Sequence, residues 1–235
     1  MRELLLIVPA FNEEESIGTT IDMLNKGTFD FVVVNDGSKD RTGQIARQKG
    51  ALVIDFPFNE GLAGAFQAGM QYACTKGYSY AMQFDADGQH LPEYIAPMLA
   101  QMKKTGTDIL IGSRFLENPI PRSLRTVGGG LIRGMIRLTC GKHIADPTSG
   151  MRLFNRQMIQ LFASRGDLTP EPDTIAYLMR NGFQVEEYPV TMQERMAGTS
   201  YLGSWSAVRY MSCMALSILM IQFARNRIHK EELRL

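Results

Sequence analysis

Two aspartates stand two residues apart in Phe84-Asp85-Ala86-Asp87-Gly88-Gln89-His90, directly after an apolar run, Tyr80 to Phe84. That run reads as a buried strand. Side chains two apart in an extended chain point to the same side, so Asp85 and Asp87 are expected to converge where the strand ends. Strand ends in open α/β sheets are where ligands usually bind. Two carboxylates with the amide oxygen of Gln89 would make a hard-oxygen set suited to Mg2+ or Mn2+, completed by substrate phosphates. On spacing alone the stretch reads equally as a solvated acidic turn, because Asp and Gly are common turn formers.

Other chemistry-bearing residues are scattered along the chain. Arg114 follows a second apolar run, Asp108 to Gly112, and Arg195 lies in a polar loop before Gly198 and Ser200. A planar guanidinium suits bidentate phosphate binding. Arg122 and Arg125 are weaker candidates of the same kind. Glu171 and Asp173 alternate with Pro170 and Pro172, which reads either as a place for a general base or as an ordinary rigid turn. Asp36, in Asn35-Asp36-Gly37, reads as a turn residue or as an acceptor for a base N–H or a ribose hydroxyl.

The elements that must hold these groups alternate in type. Apolar runs at Leu4–Val8, Phe31–Val34, Ala51–Ile54, Tyr80–Phe84 and Asp108–Gly112 read as strands, the first stopped by Pro9. Between them, helices are expected from Asn12-Glu13-Glu14-Glu15 with acids in the first turn, from a Ser38 cap to Lys49, from Leu62 to Lys76, and from Pro92 to Lys104. The third is rich in small residues, so it can lie close to its sheet. Strands alternating with helices of this length indicate an α/β, doubly wound, mostly parallel sheet. Beyond residue 115 the reading is a helix over Ser123–Leu138, a short strand-like run at Met151–Phe154, a helix after the 169–173 turn, and a strand over Val185–Val190.

At 235 residues and 45% hydrophobic, the chain has the mass for one sizeable core. A net charge of +1 gives no field that would argue for nucleic acid. Cys74, Cys140 and Cys213 are far apart, which fits a reducing compartment and argues against a thiolate zinc site. The first apolar run is too short for a signal-peptide core.

Taken in order, Pro9-Ala10-Phe11-Asn12-Glu13-Glu14, Val34-Asn35-Asp36-Gly37-Ser38, Asn59 with Gly61 and Gly64-Ala65, Asp85-Ala86-Asp87-Gly88-Gln89, Gly112-Ser113-Arg114, Asp146 with Ser149-Gly150, and Glu187-Tyr188-Pro189-Val190 with Arg195, Gly198 and Ser200 resemble the family-2 glycosyltransferases of GT-A fold. The resemblance covers roughly residues 3–202, and its nearest branch resembles the dolichyl- or polyprenyl-phosphate sugar synthases. It implies an inverting hexosyltransferase with a nucleoside diphosphate-sugar donor and an acceptor that is a polyprenyl phosphate. It further implies that Pro9, Phe11, Glu13, Asp36, Gly61, Asp85 and Ala86 bind the donor and that Asp85, Asp87 and Gln89 hold the metal. Asp87, Arg114 and Arg195 would then act at the reacting centre, with Glu171 or Asp173 as base if the acceptor were a saccharide hydroxyl of a cell-surface glycan. The sequence departs from that branch at the 170–173 turn and at Tyr201, where lysine is frequent. A third reading is a non-catalytic nucleotide-sugar-binding subunit.

The last segment, 203–235, is set apart from the 1–202 domain. Tyr210 to Ala224 carries no charge, which at about 1.5 Å per residue is too short to span a bilayer comfortably. Ser206, Arg209, Cys213 and Ser217 form a weakly polar stripe on an otherwise apolar helix. It reads as an amphipathic interfacial helix at the cytoplasmic face of a membrane, as a Met-rich surface for a small membrane protein, or as a terminal core or dimer helix.

Overall fold

A computed structural model describes residues 2–117, 124–193, 204–224 and 228. One seven-stranded sheet runs through it in the order β3-β2-β1-β4-β6-β5-β7. The strands are β1 (Arg2–Ala10), β2 (Asp30–Asn35), β3 (Leu52–Asp55), β4 (Tyr78–Gln83), β5 (Ile109–Ser113), β6 (Arg152–Asn155) and β7 (Val185–Pro189). All neighbours are parallel except that β6 runs against both β4 and β5. The sheet is therefore mixed, with helices on both faces.

Alternation sorts the central strands onto two cores. Leu5 and Ile7 of β1 with Val32 and Val34 of β2 join one core, together with Phe66, Phe154, Phe162 and Ile175. Leu4, Leu6 and Val8 with Val33 join the other, with Ile17, Ile21, Met98 and Leu99. Successive side chains of a strand buried on both faces must all be apolar, which is why these strands read as unbroken runs. Helix α3 (Gly61–Lys76) crosses β1 at close range. A Cβ on Gly69 would stand 2.3 Å from Ile7 Cγ2, so a larger residue there would push the helix off the sheet.

Several boundaries differ from the sequence expectation. Pro9 lies inside β1, opposite Val34 of β2. Pairing of β1 with β4 ends at Ile7, where Phe84 N–H donates to the Ile7 carbonyl at 2.9 Å, so the N–H that proline lacks is not needed on that side. Helix α1 (Ile17–Leu24) begins after the acids, because Asn12 takes a left-handed backbone (φ 53°) and residues 12–16 turn before the helix starts. Helix α2 (Thr42–Gln48) is not capped by Ser38, whose Oγ instead accepts from Asn12 N–H at 3.0 Å. A single 3-10 turn at Pro92–Tyr94 leads into α4 (Ile95–Thr105).

Helix α5 (Leu124–Cys140) is followed by α6 (Arg156–Ser164), which the sequence reading passed over, then α7 (Pro172–Arg180) and α8 (Ser204–Ala224). α8 packs against α5 and α7. Its Met211, Met214 and Ile218 are buried in the first core with Ile132 and Ile136 of α5 and Ile175 of α7. Leu216, Leu219 and Met220 lie on its exposed side, as do Leu131 and Leu138 of α5.

Candidate active site

Strand β4 ends at Gln83, so Asp85 and Asp87 lie beyond the extended backbone, and strand alternation does not set their directions. Each carboxylate has its own fixing. Gln83 Nε2 donates to Asp85 Oδ1 at 3.0 Å, and His90 Nε2 stands 3.5 Å from Asp85 Oδ2. A Cβ on Gly150 would meet that same Oδ2 at 2.4 Å. Asp87, 5% exposed, accepts from Gln89 N–H at 3.0 Å. Ala86 between them is buried, and its carbonyl accepts from Thr20 Oγ1 of α1 at 2.8 Å. Gln89 donates its side-chain amide to the Gln193 carbonyl at 3.4 Å. His90 is a support: buried, edge-on to Phe84, its Nδ1 accepting from Asp85 N–H at 2.9 Å.

Positive charge reaches the same place from β5. The Arg114 guanidinium forks onto Asp146, Nε to Oδ2 at 2.7 Å and Nη2 to Oδ1 at 2.8 Å, and Arg114 N–H donates to Oδ2 as well. Asp146 is fully buried, and its loop is held from β7: Glu187 accepts from Ala145 N–H at 2.7 Å and Asp146 N–H at 2.8 Å. Burial works against the Arg114 charge, but the hydrogen bond to Asp146, the Asp146 charge and the nearby Asp85 outweigh it and raise the guanidinium pKa.

The residues expected to bind the donor gather at the ends of β1 and β2. Pro9, Phe11 and Glu13 are half-buried along the chain leaving β1. Glu13 N–H donates to Thr42 Oγ1 at 2.7 Å, and its carboxylate accepts from Ser16 Oγ. Asp36 is 3% exposed and accepts from Glu60 N–H at 2.7 Å and Asn59 Nδ2 at 3.1 Å. In this structure it locks the loop that leads to Gly61, which opens α3 at φ +80°.

Glu171 and Asp173 are engaged by α8. The Tyr210 hydroxyl donates to Glu171, and Ser217 Oγ donates to Asp173 Oδ2 at 2.6 Å. Burial pushes the Glu171 pKa up, opposed by the Tyr210 hydrogen bond and by the Arg152 charge, with a net rise. Arg195, together with Gly198, Ser200, Tyr201 and Arg122, lies outside the described residues, as does the Arg125 side chain.

Two residues carry roles that the sequence reading did not give them. Gln83 aims Asp85 from the strand itself, and Arg152, 2% exposed at the start of β6, donates to three main-chain carbonyls. A lone arginine in the apolar run Met151-Arg152-Leu153-Phe154 was the available signal, since a charge inside a buried strand needs partners.

The residues present fit a divalent cation with a diphosphate. Mg2+-type sites commonly use one or two carboxylates and take their remaining ligands from substrate phosphates and water. Among the described residues no group of three or more His, Cys, Asp and Glu is arranged to hold a metal alone. Two polar atoms at the ends of β4 and β5, Gln83 Oε1 and Ser113 Oγ, are buried without a hydrogen-bond partner among the described residues. Buried polar atoms are rarely left so, and a polar ligand between these strand ends would account for them.

The fold is that of the GT-A glycosyltransferases. Glucosyl-3-phosphoglycerate synthase of Mycobacterium tuberculosis, solved with Mn2+, uridine diphosphate and glucosyl-3-phosphoglycerate, superposes with a TM-score of 0.60 at 19% identity, covering 96% of this chain and 81% of that one. The model of glycosyl transferase family 2 matches residues 5–162, and the chain belongs to that family. Among curated relatives, polyprenol monophosphomannose synthase of Mycolicibacterium smegmatis is 30% identical over 212 residues, covering 83% of this chain and 79% of that protein. UDP-N-acetylglucosamine–dolichyl-phosphate N-acetylglucosaminyltransferase of Methanococcus voltae is 28% identical over 214 residues, covering 79% and 83%.

Proposed function

We propose that this glycosyltransferase moves a hexose, with inversion, from a nucleoside diphosphate-sugar to a polyprenyl phosphate at the inner face of a membrane, and that it requires Mg2+ or Mn2+. The observation that carries the reading is the pairing at the strand ends: Asp85, fixed by Gln83 against Gly150, beside the Arg114–Asp146 fork. Anionic and cationic groups fixed side by side suit a ligand that brings both a cation and a diphosphate.

Asp85 and Asp87, with Gln89, would hold the metal, which when bound neutralises charge on the departing diphosphate as a Lewis acid. Pro9, Phe11, Glu13, Asp36 and Gly61 frame the end where the nucleoside would lie. Arg114 keeps its charge beside Asp85 and, with Arg195, is assigned to the phosphates. An acceptor phosphate oxygen attacks the anomeric carbon in line, a new carbon–oxygen bond forms, and the bond to the donor diphosphate breaks. No proton need be removed from the attacking group, because a phosphate monoester has a second pKa of about 6 and is already anionic at neutral pH.

The acceptor assignment draws support from Glu171 and Asp173. A hydroxyl acceptor needs a general base within hydrogen-bond reach. Both carboxylates put forward for that role instead accept hydroxyls from α8. The names of the two relatives described above carry a polyprenol monophosphomannose and a dolichyl phosphate with N-acetylglucosamine, which supports a lipid phosphate and leaves the sugar to experiment. Among the described residues no helix is long and apolar enough to cross a membrane; the attachment proposed is peripheral, through the exposed Leu216, Leu219 and Met220 of α8.

A panel of labelled nucleotide sugars offered with polyprenyl phosphate and Mn2+ tests the reading. An acid-labile lipid-linked product that disappears with chelator is expected. Label found only in oligosaccharide would overturn the acceptor assignment, and label released by no donor would overturn the reading as a whole.

A further inference from the structure

Arg152 has no carboxylate within ion-pair distance among the described residues. Its guanidinium donates from Nε to Ser149 O at 2.9 Å, from Nη2 to Pro147 O at 2.7 Å and from Nη1 to Pro170 O at 2.5 Å. A buried cation without a direct counter-ion persists only where fixed dipoles and nearby charge compensate it. Three carbonyls supply the dipoles here. Burial lowers the Arg152 pKa, and the charges that oppose this include Glu171, Asp146 and Asp85.

The two segments that Arg152 joins face different ways. Residues 147–150 end in Gly150, the residue against which the Asp85 carboxylate rests. Pro170 precedes Glu171, which receives the Tyr210 hydroxyl from α8. The same helix presents Met211, Met214 and Ile218 to the core on the side that carries Tyr210. A continuous chain of contacts therefore runs from α8 to Glu171, through the 170–171 turn to Arg152, and on to the loop under Asp85.

We propose that Arg152 is a positioning residue that couples the seating of α8 to the place of the Asp85 carboxylate. Tyr210 fixes the 170–171 turn, Arg152 spans from that turn to the 147–150 loop, and the loop decides where Asp85 stands. The coupling rests on the donor-binding reading of Asp85 given above, and it adds that a helix packed behind the 170–171 turn tunes the donor site. Loosening α8 is then felt as weaker donor binding, passed on through Glu171 and Arg152.

The test uses the full chain and reads binding as well as stability. Tyr210→Phe removes one hydroxyl and almost no packing volume. Arg152→Lys keeps a charge but loses the three-pronged donation. Calorimetric titration with UDP and with GDP, each with Mn2+, is compared with thermal melts of the same samples. Tyr210→Phe is expected to fold normally and to lose about fivefold in nucleotide affinity, the worth of one hydrogen bond. Arg152→Lys should lose more, and the double variant no more than Arg152→Lys alone, because both act through one path. A folded Tyr210→Phe protein with wild-type affinity overturns the coupling, as do losses that simply multiply in the double variant. A melting temperature that falls while the affinity stays unchanged also overturns it, since that marks a purely structural role. A wild-type chain that binds neither nucleotide overturns the donor reading together with the coupling; wild-type binding with an unaffected Tyr210→Phe overturns the coupling alone.

Discussion

Replacing Gly150 by alanine would separate geometry from stability at the Asp85 carboxylate. The new Cβ would stand 2.4 Å from Asp85 Oδ2 and 3.2 Å from its Cγ. Comfortable contact needs about 3.5 Å, so Oδ2 must retreat by about 1 Å. Gly150 does not occupy the left-handed region of backbone space, so alanine adds no backbone strain. The atom that yields is the end of a side chain, which places the stability cost near about 1 kcal/mol, the low end of overpacking. For a chain of this size that is a drop in melting temperature of about 2–4 °C. The effect on turnover is larger. A misplacement of about 1 Å at a reacting group costs about 100-fold, or about 2.7 kcal/mol of transition-state stabilisation. Metal-dependent sugar transfer, measured as kcat/KM beside a thermal melt of the same preparation, reads both. Wild-type turnover in Gly150→Ala would refute the view that the 147–150 loop sets Asp85. Activity that falls only in step with unfolding would refute it equally.

Asp87→Ala is expected to abolish metal-dependent transfer while the protein still melts cooperatively; full activity of the wild type in chelator would remove the metal from the proposal. Glu171→Gln should flatten the pH dependence of stability. The Glu171 pKa is raised by burial above its ordinary 4.5, against the opposing Tyr210 hydrogen bond and Arg152 charge. Its native form therefore binds more protons than the unfolded chain, and the wild type loses stability as pH rises from the ordinary value through the raised one. Melts of both proteins across that window should diverge, with Glu171→Gln gaining on the wild type towards neutral pH; parallel curves would contradict the burial argument. Replacing Leu216, Leu219 and Met220 together by glutamate should release the protein from anionic lipid vesicles without unfolding it, because these side chains are exposed. Undiminished sedimentation with vesicles would count against a peripheral site on this face.

The parallel half of the sheet was legible because strands buried on both faces must be apolar, as Leu4–Val8 and Phe31–Val34 are throughout and Tyr80–Phe84 is but for Gln83, which turns to Asp85. The small-residue character of α3 likewise announced its close approach to β1, which Gly69 makes possible. The start of α1 was not legible from its acids, since the left-handed turn at Asn12 depends on partners far away in sequence, Ser38 and the Lys39 N–H. Helix α6 carries a readable cue in its cap: Asn155 accepts from Met158 N–H at 3.0 Å. At the site, residue types named Asp85, Asp87 and Arg114 as a charged set. They could not reveal that Asp36, Glu171 and Asp173 spend their oxygens on the protein itself, because Asn59, Tyr210 and Ser217 meet them only in the folded chain. Arg152 escaped for the same reason: its partners are carbonyls, which every residue has.

The antiparallel strand β6 has a consequence for how the chain can be varied. Ile111 of β5 faces Arg152 of β6, and Gly112 N–H closes on the Met151 carbonyl at 2.8 Å. Between Ser113 and Arg152 the described residues lie outside the sheet, and the chain leaves and rejoins it at one neck. Such an excursion can lengthen or change its outer sequence at small entropic cost while its ends stay pinned. Arg114, Asp146 and Gly150 sit at the base of the neck, and α5 lies between its two ends with Ile132 and Ile136 buried in the first core. A graft that keeps the base and the buried Ile132 and Ile136, and exchanges exposed positions of α5 such as Leu131 and Leu138, would change the outer surface and leave the surroundings of Asp85 in place, so the neck is a natural seam for chimeras within the family.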